Sequence, residues 1–303
     1  MTVSFRATTA GDLPSLASFF AGRFGHVWRP EEWTWKYQTL PGEARSLLAV
    51  GEGGEILAHA GALCLPARLK KGDAGIWQLV DFAGTPGRRG LRPALIELGQ
   101  RLLADLPRPG DAPWIFGFPS ERHFRLGERV FEYQPLTVVE ELGGPLPEGP
   151  ASAGVAIETG DSCGPWAEAV WEACGVSGVR RSASFLNWRY YARPHRYYRF
   201  YRLRSAGVEG FAVFAFVGEE AWAAELWLPP GGEWYPSLLA VAADLRSAGL
   251  RSWRFWPGRS LAGLQLAPTG ERRFIGCRGR SGGEDPVAAA AGFRFAMGDY
   301  DLV

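Results

Sequence analysis

The sequence predicts a mixed α/β protein in which one domain-sized unit occurs twice in tandem. The phrase Trp35-Lys36-Tyr37, followed by Pro41, returns as Trp188-Arg189-Tyr190, followed by Pro194. The offset is 188 − 35 = 153 residues in a chain of 303, and a repeat at a fixed offset sets the architecture of a fold. Both halves also show the same order of elements. We therefore expect each half to form a mixed, mostly antiparallel sheet flanked by helices.

In the first half, apolar alternation predicts strands and 3.6-residue periodicity predicts helices. Leu13, Leu16, Phe19 and Phe20 have helical spacing behind capping residues at 9–12. A short helix and a final pair of strands are expected between about 122 and 139. The other predicted elements are strands at 3–8, 46–50, 56–65, 75–83 and 114–118 and helices at 30–37 and from Pro93.

The second half repeats this order. Its predicted strands are 155–157, 198–203, 211–217, 222–227 and 253–256, and its predicted helices are 166–174, 185–191 and 235–245. Between the halves, residues 142–154 are rich in proline and glycine, a composition typical of linkers. The sequence therefore predicts a domain at 1–142, a linker at 143–154 and a second domain at 155–303.

Composition narrows the classes of function. Hydrophobic residues make up 47% of the chain and charged residues 21%, which is typical of a globular protein. A net charge of +1 argues against nucleic acid or an anionic membrane surface as a partner. No apolar stretch is long enough to span a membrane, and the first residues lack the pattern of a signal peptide. Four cysteines without a CxxC pair predict a reduced, cytoplasmic protein without a metal site.

The segment from Val80 to Pro93 carries the strongest chemical signal. A strand runs into a loop with glycines and arginines, and this loop opens a helix. Free N–H groups at a helix start attract anions; Gly87 and Gly90 allow close approach, and the arginines add charge-assisted bonds. The segment suits a pyrophosphate, although neither the GxxxxGK[ST] nor the GxGxxG spacing is present. A solvated surface loop is the alternative interpretation.

The loop and its context resemble the GNAT superfamily of N-acetyltransferases. The family's loop reads Q/R-x-x-G-x-G/A, and Gly87-Arg88-Arg89-Gly90-Leu91-Arg92 covers those places, with Gly90 at the central glycine. Gly87 and Arg92 depart from the pattern. The first half, with Trp35-Lys36-Tyr37, Gly117-Phe118-Pro119 and Leu126-Gly127, resembles the N-terminal domain of the enhanced-intracellular-survival type. The second half, with Leu186–Tyr190 and Gly298–Asp301, is similar to the second domain of related tandem bacterial GNAT proteins.

This resemblance implies an acetyl-CoA site in the first half. Backbone N–H groups at Phe82 or Ala83 would polarise the thioester carbonyl. The remaining residues that we assign to acetyl-CoA binding are Arg88, Arg89, Gly90, Leu91, Arg92 and Ser120. The corresponding stretch of the second half, Leu228–Trp234, contains two prolines without N–H donors and Glu233, which repels phosphate. We therefore assign cofactor binding to the first half alone.

Three residues are candidates for acid–base chemistry. In the family a tyrosine four residues before the LG glycine serves as the acid; here that position, counted from Gly127, is His123. Histidine can donate a proton, and Tyr133 is a second candidate acid. Asp81, on the fourth strand near the presumed thioester, is the candidate base. The competing interpretations are a surface histidine, a core-facing tyrosine and a structural carboxylate.

The predicted function is acetyl transfer from acetyl-CoA to a primary amine of a small molecule or peptide. Two alternatives stay open: a non-catalytic protein that senses acyl-CoA or binds a partner, and an aminoacyl-transferring ligase of the peptidoglycan-bridge type. A homodimer is also left open. The twin aromatic phrases are expected to be structural, packing against the sheet, and His26, His59 and His195 are given no functional role.

Overall fold

The chain folds into two compact units, each built from two stretches of sequence. The computed structural model describes residues 2–24, 28–85, 87, 91–107, 114–149, 156–158, 162–257, 261, 263–279 and 285–300. The first unit comprises residues 1–136 and 274–291, and the second unit comprises 137–273 and 292–303. This division differs from the predicted domains 1–142 and 155–303, and residues 143–145 of the expected linker are the end of a strand.

Thirteen strands are present in the described part of the chain. They are β1 (Val3–Ala7), β2 (Ala44–Gly51), β3 (Ile56–Leu69), β4 (Gly72–Gly84), β5 (Trp114–Gly117), β6 (Gln134–Pro145), β7 (Ala156–Glu158), β8 (Gly178–Val179), β9 (Tyr198–Ser205), β10 (Val208–Val217), β11 (Glu220–Trp227), β12 (Ser252–Phe255) and β13 (Ala267–Gly279). Most predicted strands are confirmed within a few residues. The final pair of strands expected before 139 is instead the single strand β6.

The helices flank these strands. They are α1 (Leu13–Phe24), α2 (Pro30–Gln38), α3 (Leu91–Asp105), α4 (Glu121–Val130), α5 (Trp166–Ala173), α6 (Ala183–Leu186), α7 (Trp234–Ser247) and α8 (Pro286–Ala289). A π-helical turn at Asn187–Tyr191 carries the second aromatic phrase, and a 3-10 turn at Met297–Asp299 lies in the C-terminal segment. No helix in the described ranges is both long and apolar enough to cross a membrane.

The sheet of the first unit has the order β1-β2-β3-β4-β5, followed by the last four residues of β13. Neighbouring strands are antiparallel except for β4 and β5, which are parallel. The strand that follows β5 therefore comes from the end of the chain, with Gly276 opposite Gly117. No local sequence pattern predicts a pairing between two strands that lie so far apart in the chain.

The sheet of the second unit repeats this plan as β7-β9-β10-β11-β12, followed by residues 142–145 of β6. Again one pair, β11 and β12, is parallel and the others are antiparallel. The predicted fold, two tandem units with mixed and mostly antiparallel sheets flanked by helices, is thereby confirmed.

The core of the first unit lies on both faces of its sheet. Helix α3 packs Leu98 and Leu102 against small residues of β3 and against Trp77. On the other face, α1 and α2 contribute Phe20 and Trp33, which pack against Leu48 of β2. Helix α2 begins with Pro30 in its first turn, where the missing N–H costs no hydrogen bond.

Candidate active site

The two parallel strands of the first unit separate at the centre of the sheet. Strand β4 pairs with β5 at Trp77–Leu79, opposite Ile115–Gly117. Strand β5 ends there, whereas β4 continues to Gly84. The last five residues of β4 therefore run past the end of their parallel neighbour and form one side of a split in the sheet. An extended ligand can reach backbone groups in such a split.

A β-bulge lies in the part of β4 that borders this split. His59 of β3 is opposite Ala83, but Gly61 is opposite Val80, so β4 carries one extra residue. Within the bulge Asp81 has a φ of 51°. Aspartate is among the few residues that tolerate this left-handed conformation, because its short side chain can bond locally. The bulge re-aims the Asp81 side chain toward α2.

The carboxylate of Asp81 is held by the first aromatic phrase. Lys36 Nζ lies 3.1 Å from Oδ1 and 3.0 Å from Oδ2, and the Tyr37 hydroxyl donates to Oδ2 at 2.7 Å. The Lys36 and Asp81 side chains are 9% and 6% exposed. Gly61 leaves room for the Tyr37 hydroxyl, which any Cβ at that position would meet.

The expectation that this phrase packs against the sheet holds for Trp35, which is buried, and for the ring of Tyr37, which packs against the core beside α1 and α2. It does not include the polar contacts of Lys36 and Tyr37. Both reach a carboxylate at the candidate site. A cation inside an otherwise apolar helical phrase was the signal that could have indicated this.

A second set of contacts fixes the backbone of the bulge. His59 Nδ1 lies 2.9 Å from the Asp81 carbonyl oxygen, and His59 Nε2 lies 2.8 Å from Ser46 Oγ. Because a carbonyl can only accept, Nδ1 carries the proton and Nε2 accepts from Ser46. Ser46 in turn accepts from Trp33 Nε1 at 3.2 Å. Burial lowers the pKa of His59, which keeps the ring neutral as this network requires. His59, given no role from sequence, positions the candidate base.

The opposite face of β4 borders a small apolar cavity. Its volume is about 20 Å³, which is room for roughly one water molecule. Gly99 of α3 leaves room for the Phe131 ring, and Gly127 of α4 leaves room for the Tyr133 ring. The glycine of the Leu126-Gly127 motif is thus required by the packing of Tyr133. The cavity is lined by Gly61, Leu79, Phe82, Gly99, Leu102, Leu103, Phe131 and Tyr133.

The two candidate acids differ in their surroundings. The His123 ring lies 6.1 Å from the Phe82 ring, and its pKa is lowered by this partial burial and, to a lesser extent, by the charge of Arg122. Burial raises the pKa of Tyr133, so its hydroxyl keeps its proton. Tyr133 also lines the cavity next to Phe82. Both candidate acids therefore lie beside Phe82, and burial makes the Tyr133 hydroxyl a weaker acid than an ordinary tyrosine.

The residues predicted to bind the cofactor are described only in part. Leu91 and Arg92 form the first turn of α3, whereas Arg88, Arg89 and Gly90 lie outside the described residues. The preceding Gly87 has a φ of 75°, a conformation that favours glycine. Ser120 is the N-cap of α4 and accepts from the His123 backbone N–H at 3.4 Å.

Phe82 and Ala83 follow Asp81 directly on β4, and their side chains take part in the two cores on opposite faces. A chain that enters the split would pass these backbone groups and meet the start of α3. The residues present therefore fit acetyl-CoA in outline. The cavity holds only a small group unless the Phe82 and Phe131 rings shift.

The second unit contains the same split and a bulge in the same strand. Strand β11 pairs with β12 only at residues 220–222 and continues to Trp227. The register between β10 and β11 shifts between Val213 and Phe214. Beside this bulge the Tyr190 hydroxyl donates to Glu225 at 2.5 Å. Tyr190 and Glu225 thus correspond to Tyr37 and Asp81.

In the second unit, however, the C-terminal segment (residues 293–300) fills this place. Gly298 packs so closely on the Ala224 carbonyl and on Glu225 that a Cβ would meet both. Arg189, the counterpart of Lys36, donates to the backbone carbonyls of Gly298 and Tyr300, each at 3.0 Å.

A buried arginine completes the arrangement. Arg181 donates to Glu225 at 2.9 Å and to Asp299 at 2.8 Å, and all three side chains are fully buried. Within the part of the chain that the structure describes, no group of three or more His, Cys, Asp or Glu side chains is placed to hold a metal ion.

Comparisons with known proteins identify the fold. No protein-family model matches the chain, and no curated protein sequence matches it. A GCN5-related N-acetyltransferase from Anabaena variabilis superposes with a TM-score of 0.66 at 10% identity, covering 91% of this chain and 72% of that one. A probable N-acyltransferase from Enterococcus faecalis gives 0.65 at 11% identity, with 92% and 73% covered.

A tandem GNAT protein from the clavulanic acid biosynthesis pathway gives a TM-score of 0.59 at 11% identity, covering 94% of this chain and all of that one. Similarity at this level of identity shows the fold. The chain thus has the fold of GCN5-related N-acetyltransferases in a tandem form.

Proposed function

We propose that the first unit transfers an acetyl group from acetyl-CoA to a primary amine that is held at Asp81. The observation that carries this proposal is the position of the Asp81 carboxylate. It lies on the bulge of β4, beside the split between β4 and β5, and is fixed on both its backbone and its side chain. Such preorganised carboxylates serve as general bases.

The chemistry assigns one task to each group. When bound, acetyl-CoA supplies a thioester carbonyl that a neutral amine can attack. Asp81 takes the proton that the amine must lose, and the backbone N–H groups of Phe82 and Ala83 stabilise the charge that develops on the carbonyl oxygen. Tyr133 or His123, which both lie beside Phe82, donates a proton to the departing thiolate.

The phosphates are assigned to the loop before α3. Gly90, Arg88 and Arg89, with Leu91 and Arg92 at the helix start, supply N–H groups and positive charge to a pyrophosphate. In the second unit the corresponding stretch contains Glu233, which lies just before α7. We therefore assign one acetyl-CoA site to each chain.

Calorimetric titration of the full chain with acetyl-CoA tests the binding step, with desulfo-CoA and adenosine diphosphate as controls. We expect saturable binding at about one site per chain, and loss of this binding in Gly90→Trp, because the bulky side chain blocks the approach of the phosphates. Glu233→Gln is the matched control and should bind as the parent does. An equal loss in both variants, or no binding in the parent chain, would contradict the proposal.

Asp81→Asn tests the chemical step. Asparagine tolerates the left-handed conformation of this position and keeps the shape of the side chain. We expect unchanged acetyl-CoA affinity and a loss of acetyl transfer to a simple alkylamine of about 100-fold or more, the usual contribution of a general base. The release of free thiol measures the transfer. Normal transfer by Asp81→Asn would remove Asp81 from the mechanism.

A non-catalytic acyl-CoA-binding function is the second candidate, and one observation favours it. Lys36 and Tyr37 already contact the Asp81 carboxylate, so an external amine must compete with a cation of this chain. Acetyl-CoA binding without thiol release in the presence of a range of primary amines would support this candidate.

A further inference from the structure

Lysine is rare in this chain, and one of its lysines lies at the candidate site. The sequence contains Lys36, Lys70 and Lys71 and no other lysine, which leaves 33 − 3 = 30 arginines among its basic residues. Buried or nearly buried positions that need a cation carry arginine elsewhere, as at Arg181 and Arg189. A lysine at position 36 is therefore an exception within this chain, and its chemistry differs from that of arginine.

The two copies of the aromatic phrase differ in the groups that their cations contact. Lys36 faces the carboxylate of Asp81 on the bulged strand, with its Nζ 3.0 Å and 3.1 Å from the two oxygens. Its counterpart Arg189 instead contacts backbone carbonyls of the C-terminal segment. An arginine side chain cannot give up its proton in a protein, whereas a lysine can lose one and become a nucleophile. The copy whose cation contacts the carboxylate of the bulged strand is the one that carries lysine.

We propose that Lys36 is itself an acetyl acceptor and that the site at Asp81 accepts primary alkylammonium groups of the kind that Lys36 presents. This inference rests on the proposed function of the first unit. The Nζ atom already has the position that the proposed mechanism requires of a substrate amine, in contact with the candidate base. The Lys36 side chain is 9% exposed, so reaction at this position depends on the folded site rather than on contact with bulk solvent.

The reaction is balanced without a further reagent. Asp81 takes one proton from the Lys36 ammonium group, and the neutral amine forms an amide bond to the acetyl carbon as the thioester carbon–sulfur bond breaks. The nitrogen then loses its second proton. One of the two protons converts the departing thiolate to coenzyme A thiol, and the other reaches solvent. No electron transfer takes place.

Acetylation would change the charge at the site. The amide of acetyl-Lys36 has no positive charge, so the Asp81 carboxylate would keep Tyr37 as a donor but lose its ion pair. A carboxylate without its cation is a better site for the ammonium group of an external amine. Modification of Lys36 would thus release Asp81 for a second acceptor of the same chemical class.

Mass spectrometry of the full chain after incubation with acetyl-CoA tests this proposal. Peptide mapping distinguishes Lys36 from Lys70 and Lys71, which lie on the exposed turn between β3 and β4 and report spontaneous acetylation. We expect Lys36 to be acetylated at least about 100-fold faster than in Asp81→Asn, the ratio typical of a lost general base. The double variant Lys70→Arg, Lys71→Arg is the matched control and should acetylate Lys36 at the parent rate.

The outcomes separate this inference from the proposed function. Calorimetry on the same sample reports whether acetyl-CoA binds. Binding with an unmodified Lys36, or with acetylation of Lys36 that is no faster than that of Lys70 and Lys71, overturns the inference and leaves the proposed function standing. No binding overturns both. Urea-unfolded protein provides the reference for spontaneous reaction, and equal rates at Lys36 in folded and unfolded chains also overturn the inference.

Discussion

The two units place the same phrase of sequence beside the same bulged strand but use it differently. In the first unit Lys36 and Tyr37 both contact the carboxylate on β4. In the second unit Tyr190 contacts the carboxylate on β11, which Arg181 and Trp227 also contact, while Arg189 holds the backbone of the C-terminal segment. The contact between a tyrosine and a carboxylate is thus shared by both units. The units differ in the group that the neighbouring cation contacts, which is the carboxylate for Lys36 and the C-terminal backbone for Arg189.

In the second unit a second cation besides Arg189, Arg181, pairs with Glu225 and Asp299. Arg181 lies at the position that Trp28 occupies in the first half, since 181 − 153 = 28. Burial alone would lower the pKa of Arg181, but the charges of Asp299 and Glu225 outweigh burial and raise it. Burial also raises the pKa of Glu225, and the charge of Arg181 opposes this. These three paired side chains are fully buried and occupy this place in the second unit.

The largest effect is expected from Arg181→Leu in the second unit. Without this cation Glu225 and Asp299 remain buried next to each other, and the free energy of unfolding should fall by about 3–5 kcal/mol, the usual cost of breaking a buried ion pair. Urea unfolding of the full chain measures it. Arg251→Ala, which removes an exposed pair with Glu219, is the control and should cost less than about 1 kcal/mol. Similar losses in both variants would mean that the cluster is not structural.

The second-largest effect is expected when the tyrosine of each aromatic phrase is replaced by phenylalanine. Tyr190→Phe removes a hydrogen bond to a fully buried carboxylate and should lower the free energy of unfolding by about 1.5–3 kcal/mol. Tyr37→Phe removes the equivalent bond at a less completely buried site and should cost about 1 kcal/mol. Acetyl transfer should show the reverse order, with a loss in Tyr37→Phe and none beyond the effect of stability in Tyr190→Phe. Equal effects on transfer would contradict the assignment of catalysis to the first unit.

Local patterns predicted most of the elements in both units. The repeated phrase predicted two copies of one fold, because each copy must present the same apolar face to a sheet. Asp81 was selected by its place on the fourth strand, and the structure puts it on the bulge beside the split. The helix expected at 185–191 continues as a π-helical turn from Asn187, a detail that apolar periodicity does not distinguish from an α-helix.

Long-range pairings set the limit of prediction from sequence. The end of β13 completes the first sheet beside β5, although Gly276 and Gly117 are far apart in the chain. Likewise, Gly298 meets Glu225 through packing that no local motif encodes. The 3-10 turn at Met297–Asp299 in the C-terminal segment was missed for the same reason. Composition and spacing report local preference, whereas these contacts depend on which distant surface is available.

The smallest expected effect concerns the histidine that fixes the bulge of the first unit. Burial lowers the pKa of His59 in the folded chain, whereas in the unfolded chain it is near 6.5. Above about pH 6.5 the ring is neutral in both states. Below this pH the unfolded chain binds a proton that the folded chain does not, so the free energy of unfolding decreases as the pH is lowered. One proton contributes at most about 1.4 kcal/mol per pH unit.

Urea unfolding between pH 5 and 7.5, where ordinary carboxyls stay ionised, should therefore show a weaker pH dependence for His59→Gln than for the parent chain. His123→Asn is the matched control, because the pKa of that partly buried ring is also lowered but the ring lies on α4, away from the Asp81 carbonyl. The His123→Asn substitution should reduce the pH dependence of stability less than His59→Gln does. An unchanged slope in His59→Gln would mean that His59 takes up a proton below pH 6.5 as readily in the folded chain as in the unfolded chain. The hydrogen bond from Ser46 to Nε2 would then be lost, and with it the chain of donors that holds the bulge in place.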